Sequence, residues 1–233
     1  MRAFNDSDLI QSNSGTATLV SSTNATVPAS TVEGNAGIIC MFAQTPIAPP
    51  NQWDTVAFTS FTQIAIMCRA DLPSGETSWP FSTASGGPAN WGWTSGEWSN
   101  VASAPLETSV GTTGTGGASS ISTGTTAAFN TRYVMGIAAF GISGTGGSAW
   151  PSVSYSNGFT ETDSVQVGTG TANGDMLLKV ARLYGSDSDP GPWSCTATFT
   201  GSMTSKTPFA VLAVFRAVDS IDAPECNGSS GVG

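Results

Sequence analysis

Cys195-Thr-Ala-Thr-Phe-Thr200 alternates apolar residues with threonine, whereas Phe209-Ala-Val-Leu-Ala-Val-Phe215, close behind it, does not alternate at all. Alternation marks a strand with one face in a core and one in water. An unbroken apolar run of strand length marks a strand covered on both faces. Phe61-Thr-Gln-Ile-Ala-Ile-Met-Cys68, Tyr133-Val-Met-Gly-Ile-Ala-Ala-Phe140, Ala36-Gly-Ile-Ile-Cys-Met-Phe42 and Asp175-Met-Leu-Leu-Lys-Val-Ala181 read the same way. Such runs suit central strands, with core on one side and a neighbour or partner on the other. Turn signals separate them: Pro49-Pro-Asn, Pro73-Ser-Gly, Ser85-Gly-Gly-Pro, Ser156-Asn-Gly and Asp189-Pro-Gly. The pattern predicts an all-β chain of about a dozen strands, arranged as an antiparallel, jelly-roll-like β-sandwich with essentially no helix. Ser30-Thr-Val-Glu33 carries a capping-box pattern, but Gly34-Asn-Ala-Gly37 behind it spoils a helix.

The expected organisation is an N-terminal arm (1–15), one β-sandwich domain (16–220) and a C-terminal tail (221–233). Thr108 to Ala128 is the most biased segment, with sixteen of twenty-one residues Gly, Ser or Thr. A flexible interdomain linker is one reading. A strand-bearing crossover is preferred, because Ser119-Ser-Ile-Ser-Thr-Gly-Thr-Thr126 keeps β character. Two weak echoes point to a pseudo-repeat, with halves near 16–107 and 130–220. Glu33-Gly-Asn-Ala-Gly-Ile-Ile39 resembles Ala172-Asn-Gly-Asp-Met-Leu-Leu178. Ser78-Trp-Pro-Phe81, followed later by Val101-Ala-Ser-Ala-Pro-Leu-Glu107, resembles Pro192-Trp-Ser-Cys195, followed by Val218-Asp-Ser-Ile-Asp-Ala-Pro-Glu225. Two similar sheets facing each other would produce such echoes.

The 233 residues contain no histidine, only 10% are charged, and the net charge is −9. Histidine is the usual general base and metal ligand near neutral pH, so this composition favours packing over chemistry. The seven basic residues are scattered, which argues against nucleic-acid binding. An anionic membrane surface would repel the chain, and no apolar run reaches the roughly 20 residues of a membrane span. The opening Met1-Arg-Ala-Phe-Asn-Asp-Ser-Asp8 lacks a signal-peptide core. Cys40, Cys68, Cys195 and Cys226 show no zinc-like spacing and read as buried thiols, with a Cys195–Cys226 disulfide as the alternative.

Candidate carboxylates for glycoside chemistry are Glu76, Glu97, Glu161 and Asp163. Glu161 and Asp163 are two apart, so regular strand geometry puts them on one face. There they would pair, or bind calcium together with Asp187 and Asp189. The alternative is a solvated edge, which composition favours. No catalytic residue, cofactor site or metal site is assigned. Trp79, Trp91, Trp93 and Trp98 are the candidate interface or glycan-binding residues, with Asn90, Glu97 and Asn100 as polar company. Trp91 and Trp93 would share a face and Trp98 would take the other. Core packing or a subunit contact is the competing use of these rings.

One motif order carries a resemblance. It runs Thr26-Val-Pro28, Gly34-Asn-Ala-Gly-Ile-Ile39, Pro50-Asn-Gln-Trp-Asp-Thr-Val56, Ser78-Trp-Pro-Phe-Ser82 and a Trp-rich strand ending in Ala104-Pro-Leu-Glu107. After the Gly/Ser/Thr-rich crossover come Val153-Ser-Tyr-Ser-Asn-Gly-Phe-Thr-Glu161, Asn173-Gly-Asp-Met-Leu-Leu-Lys-Val-Ala181 and Trp193-Ser-Cys-Thr-Ala-Thr-Phe-Thr-Gly201. Over roughly residues 20–220 this resembles a diffuse group of β-sandwich virion proteins of tailed bacteriophages, of minor-tail or decoration type. Two departures stand out. An expected Gly-Asp pair is replaced by Gly34-Asn-Ala-Gly37, and the tail Cys226-Asn-Gly-Ser-Ser-Gly-Val-Gly233 is extra. The resemblance implies a non-enzymatic virion component, assembled in the host cytoplasm, with other capsid or tail proteins as partners. A homo-oligomer is expected of such a subunit, and strands apolar on both faces fit that expectation. The alternative is a carbohydrate-binding module for host adhesion, which requires Trp91 or Trp93 to be exposed beside polar groups.

Overall fold

The apolar runs become the inner strands of a four-layered stack. The computed structural model describes residues 3–59, 63–129, 133–145, 149–168, 173–185 and 191–218. The first half comprises β1 (Leu9–Val20), β2 (Ser22–Thr26), β3 (Ala36–Ala43), β4 (Ile47–Ala48), β5 (Asp54–Phe58), β6 (Ile64–Arg69), β7 (Ser78–Thr83) and β8 (Ala89–Trp98). The second comprises β9 (Val101–Thr113), β10 (Ser120–Ser122), β11 (Val134–Thr145), β12 (Ser152–Tyr155), β13 (Thr160–Val167), β14 (Asn173–Tyr184), β15 (Thr196–Thr200) and β16 (Lys206–Ala217). Among the described residues the one helical element is a 3-10 turn, Asp6–Asp8, capped by the Asn5 side chain.

Each half folds into a five-stranded inner sheet and a three-stranded outer sheet. The orders are β1-β8-β3-β6-β5 over β2-β7-β4, then β9-β16-β11-β14-β13 over β10-β15-β12. Adding eight to each strand number converts the first half into the second. All pairings are antiparallel. Eight strands alternating between two facing sheets in this way form a jelly roll. In both halves the fifth strand sits on the inner sheet instead of completing the outer one.

The two inner sheets pack face to face. Ile38, Cys40, Phe42 and Ile66 meet Met135, Ile137, Leu178 and Val211 in the central layer. Ile39, Met41, Ala65 and Met67 point the other way and are covered by Trp79 and Phe81 of the first outer sheet. Ala138, Phe140, Leu177 and Leu212 do the same under Ala197 and Phe199 of the second. This explains the non-alternating runs: β3 and β8 are buried at every position because core lies on both sides. The covering neighbour is the other half of the same chain, so the double-sided apolarity no longer argues for a second subunit.

Three expectations change. About a dozen strands in a two-sheet sandwich become sixteen strands in four sheets. The 1–15 arm is strand from Leu9 onward, and Gln11–Ala17 pair with Glu97–Trp91 of β8. Gly15 permits this, because a Cβ there would lie 2.4 Å from the Trp93 ring. The halves join at Ser99-Asn100, with Asn100 at φ +60. The Gly/Ser/Thr-rich stretch therefore supplies strands of the second half, β9 and β10, and links no separate domains. The 78–107 echo of 192–225 relates β7 and β8 to their counterparts β15 and β16, as far as the described residues go. The 33–39 echo of 172–178 relates β3 to β14, which are not counterparts.

Candidate functional site

Trp79, Trp91, Trp93 and Trp98 are all buried, at 2%, 0%, 5% and 3% exposure. The alternation within β8 is as expected. Trp91 and Trp93 enter the layer beneath the first outer sheet, and Trp98 enters the central layer. The Trp91 indole N–H donates to the Val20 carbonyl at 3.0 Å, and that of Trp79 to Glu76 at 2.7 Å. Trp53 packs edge-on against Trp79, with centroids 5.1 Å apart. An exposed aromatic platform is thus replaced by core, because β2 and β7 lie over the face that carries Trp91 and Trp93.

The polar company holds the fold together. Glu97 is fully buried, and it accepts from the Gln11 side chain, the Val32 N–H (2.7 Å) and the Asn35 side chain (2.7 Å). Its carboxylate fastens the β2–β3 loop to the inner sheet. Asn90 accepts from the Leu19 N–H and donates to the Gly174 carbonyl at 2.8 Å, tying the two halves together. Asn100 occupies the turn between halves, and its carbonyl accepts from the Val218 N–H at 3.0 Å. Glu76 accepts two bonds from Arg69, at 3.0 and 3.1 Å.

Glu161 and Asp163 do not share a face. Glu161 pairs with Ala181 and Asp163 with Val180, so the register slips by one residue at Thr162. Such a bulge reverses the alternation that sequence spacing implies. Glu161 consequently faces the second outer sheet, where it accepts from Lys179 at 2.7 Å and from the Tyr155 hydroxyl at 3.0 Å. Asp163 lines a small cavity at the edge of the central layer, with Cys40, Trp98 and Arg182. A calcium cradle from these two is excluded by that geometry; Asp187 and Asp189 lie outside the described residues. Among the described residues no three His, Cys, Asp or Glu side chains converge to hold a metal ion.

An open groove of about 700 Å³ lies beside β13 and β14. Asp6, Glu161, Arg182 and Tyr184 line it. The Tyr184 hydroxyl donates to Asp6 at 2.9 Å and accepts from Arg182 at 3.3 Å, while the Arg182 guanidinium lies 5.0 Å from the Trp98 ring centroid. Residues 178 positions apart meet here, and no local sequence signal marked Asp6, Arg182 or Tyr184 as neighbours.

The titration behaviour is that of packed groups. Burial pushes the Cys40, Cys68 and Cys195 thiols up to about 12, so the reactive thiolate is scarce at neutral pH. All three are free and buried; Cys226 lies outside the described residues. Burial raises Tyr184 to about 12 and also raises Tyr155, which faces Glu161. Burial raises Asp163 above the ordinary carboxylate range, against the opposing pull of Arg182. The groove offers hydrogen-bonding groups on Asp6, Glu161, Arg182 and Tyr184. Comparison of the chain with protein-family models, curated proteins and solved structures gives no match.

Proposed function

We propose that this protein is a non-enzymatic structural component of a tailed-phage virion, a capsid-surface decoration or a tail-associated protein that works through protein contacts. The observation that carries the reading is where the strongest polar groups go. The charged and amide side chains of Glu97, Asn90 and Glu76 fasten loops, halves and core tryptophans to one another. Cys40, Cys68 and Cys195 are buried thiols. Function then belongs to the outer surface. The phage assignment rests on the motif order of the sequence, and jelly rolls are used in viral capsid domains, an association of fold rather than of site.

The carbohydrate-binding reading named Trp91 and Trp93 as its platform, and both are buried, so no observation favours it. Co-sedimentation of the purified chain with capsids and with tails of the parent particle tests the proposal. Saturable binding to one of them is expected; no binding to either would contradict it.

A further inference from the structure

We infer that β1 is a docking edge for a second copy of this chain, joined by antiparallel β1–β1 pairing centred on Ser14. An edge strand offers a row of free N–H and C=O groups, and proteins block such rows with charge, proline, shortness or bulges. Three of the four edges of the inner sheets are blocked in this way. β5 has five residues, begins with Asp54 and bulges after Thr55. β9 contains Pro105 and Glu107 and slips register near Leu106. β13 carries Glu161 and Asp163 around its bulge. β1 is twelve residues long, Leu-Ile-Gln-Ser-Asn-Ser-Gly-Thr-Ala-Thr-Leu-Val, with no charge and no proline. Its irregularities lie at its ends, leaving Gln11–Ala17 in continuous register with β8. Among the described residues β8 is its sole sheet partner.

Three features point to a second copy as the occupant. First, the chain carries a net charge of −9, and like charges set directly opposite each other destabilise a strand pair. Self-pairing through β9 or β13 would bring acids of the two copies together; β1 has none. Second, apolar residues stand at both ends of the strand: Ile10 is 48% exposed, Leu19 69% and Val20 37%. Antiparallel pairing about Ser14 brings the Leu9-Ile10 end of one copy against the Leu19-Val20 end of the other. Third, the free edge faces the right way. The Ser14 N–H donates to the Asn13 side chain at 2.9 Å, and the Asn13 carbonyl turns toward Ser95 of β8; ladder alternation then directs the Ser12, Ser14 and Thr16 backbone groups outward. Pairing transfers that N–H from Asn13 to the partner's Ser14 carbonyl. The result is a closed two-fold contact with a continuous ten-stranded sheet. It deepens the structural reading above by naming a contact surface.

The test uses the full chain carrying Cys226→Ser. Light scattering after gel filtration should give a dimer, twice 23.6 kDa, and Ser14→Pro should convert it to monomer. Proline is tolerated on an edge strand where the N–H faces outward, and an unchanged circular dichroism spectrum confirms the fold. Ser14→Cys should form an interchain disulfide on mild oxidation, and Ser164→Cys on β13 should not. A monomeric parent, any assembly other than a dimer, or a dimer insensitive to Ser14→Pro overturns the inference. So does β1-dependent binding to a different virion protein by a chain that is monomeric alone. Each of these leaves the capsid and tail co-sedimentation result standing by itself.

Discussion

The ring of Phe42 on β3 lies flat on the backbone of Gly141 on β11: a Cβ at Gly141 would sit 2.8 Å from it. The two strands are counterparts in the two halves. In-step alignment of Gly37-Ile38 with Gly136-Ile137 makes Phe42 and Gly141 equivalent positions as well. The central layer therefore fits because one half has a large residue where the other has none. The ring also meets Phe209, at 5.5 Å between centroids.

Gly141→Val should destabilise the protein by about 1–3 kcal/mol, the usual range for overpacking a filled core. Combining it with Phe42→Ala should recover part of that loss. Urea unfolding of both singles and the double mutant gives the coupling energy; strict additivity would deny the contact.

Glu97→Ala removes the carboxylate that accepts from Gln11, Val32 and Asn35. The Gln11 amide keeps the Ala29 carbonyl as acceptor and the Val32 residue is exposed, so the loss is that of one or two part-buried hydrogen bonds to a charged group, about 1.5–3 kcal/mol in all. Hydrogen exchange should show early opening of residues 27–35, measured against the unaltered β14 amides.

Asp163 binds its proton more tightly folded than unfolded, because burial raises it from the ordinary 3.8. The folded state then holds more protons, and stability falls as pH rises from about 3.8 through the raised value. Asp163→Asn should flatten that part of the melting-temperature profile. The variant should match or exceed the parent in melting temperature at pH 7, and the difference should shrink towards pH 3. A parent that gains stability over this window relative to the variant would contradict the assignment.

In the Cys226→Ser background, Cys40, Cys68 and Cys195 should resist thiol reagents at pH 8. A thiol pushed up to about 12 is roughly 0.01% thiolate there. All three should react once the protein is unfolded in denaturant. Rapid labelling of the native chain would show that the layers open.

Much of this architecture was legible in residue order. Apolar runs such as Phe209 to Phe215 mark strands covered on both faces, with core on one side and a neighbour or partner on the other, and they are inner strands. The Ser156-Asn157-Gly158 signal became a turn, with Asn157 and Gly158 at φ +57 and +77. Four layers were not legible, since a run buried on both faces looks the same whether its second cover is another chain or a later part of its own. The tryptophans illustrate the same limit: spacing puts Trp91 and Trp93 on one common face, yet only the arrival of β2 and β7 decides that the face is covered. Spacing alone puts Glu161 and Asp163 on one face, because a bulge at Thr162 leaves no mark in it. The Asp6–Tyr184–Arg182 group needs both ends of the fold and has no local signature.

An image of the intact parent particle at a resolution that separates β-sheets tests the central claim most directly. The expected result is a four-sheet density of this fold at a fixed, repeated position on the capsid surface or the tail. Purified particles that lack the protein altogether would contradict it.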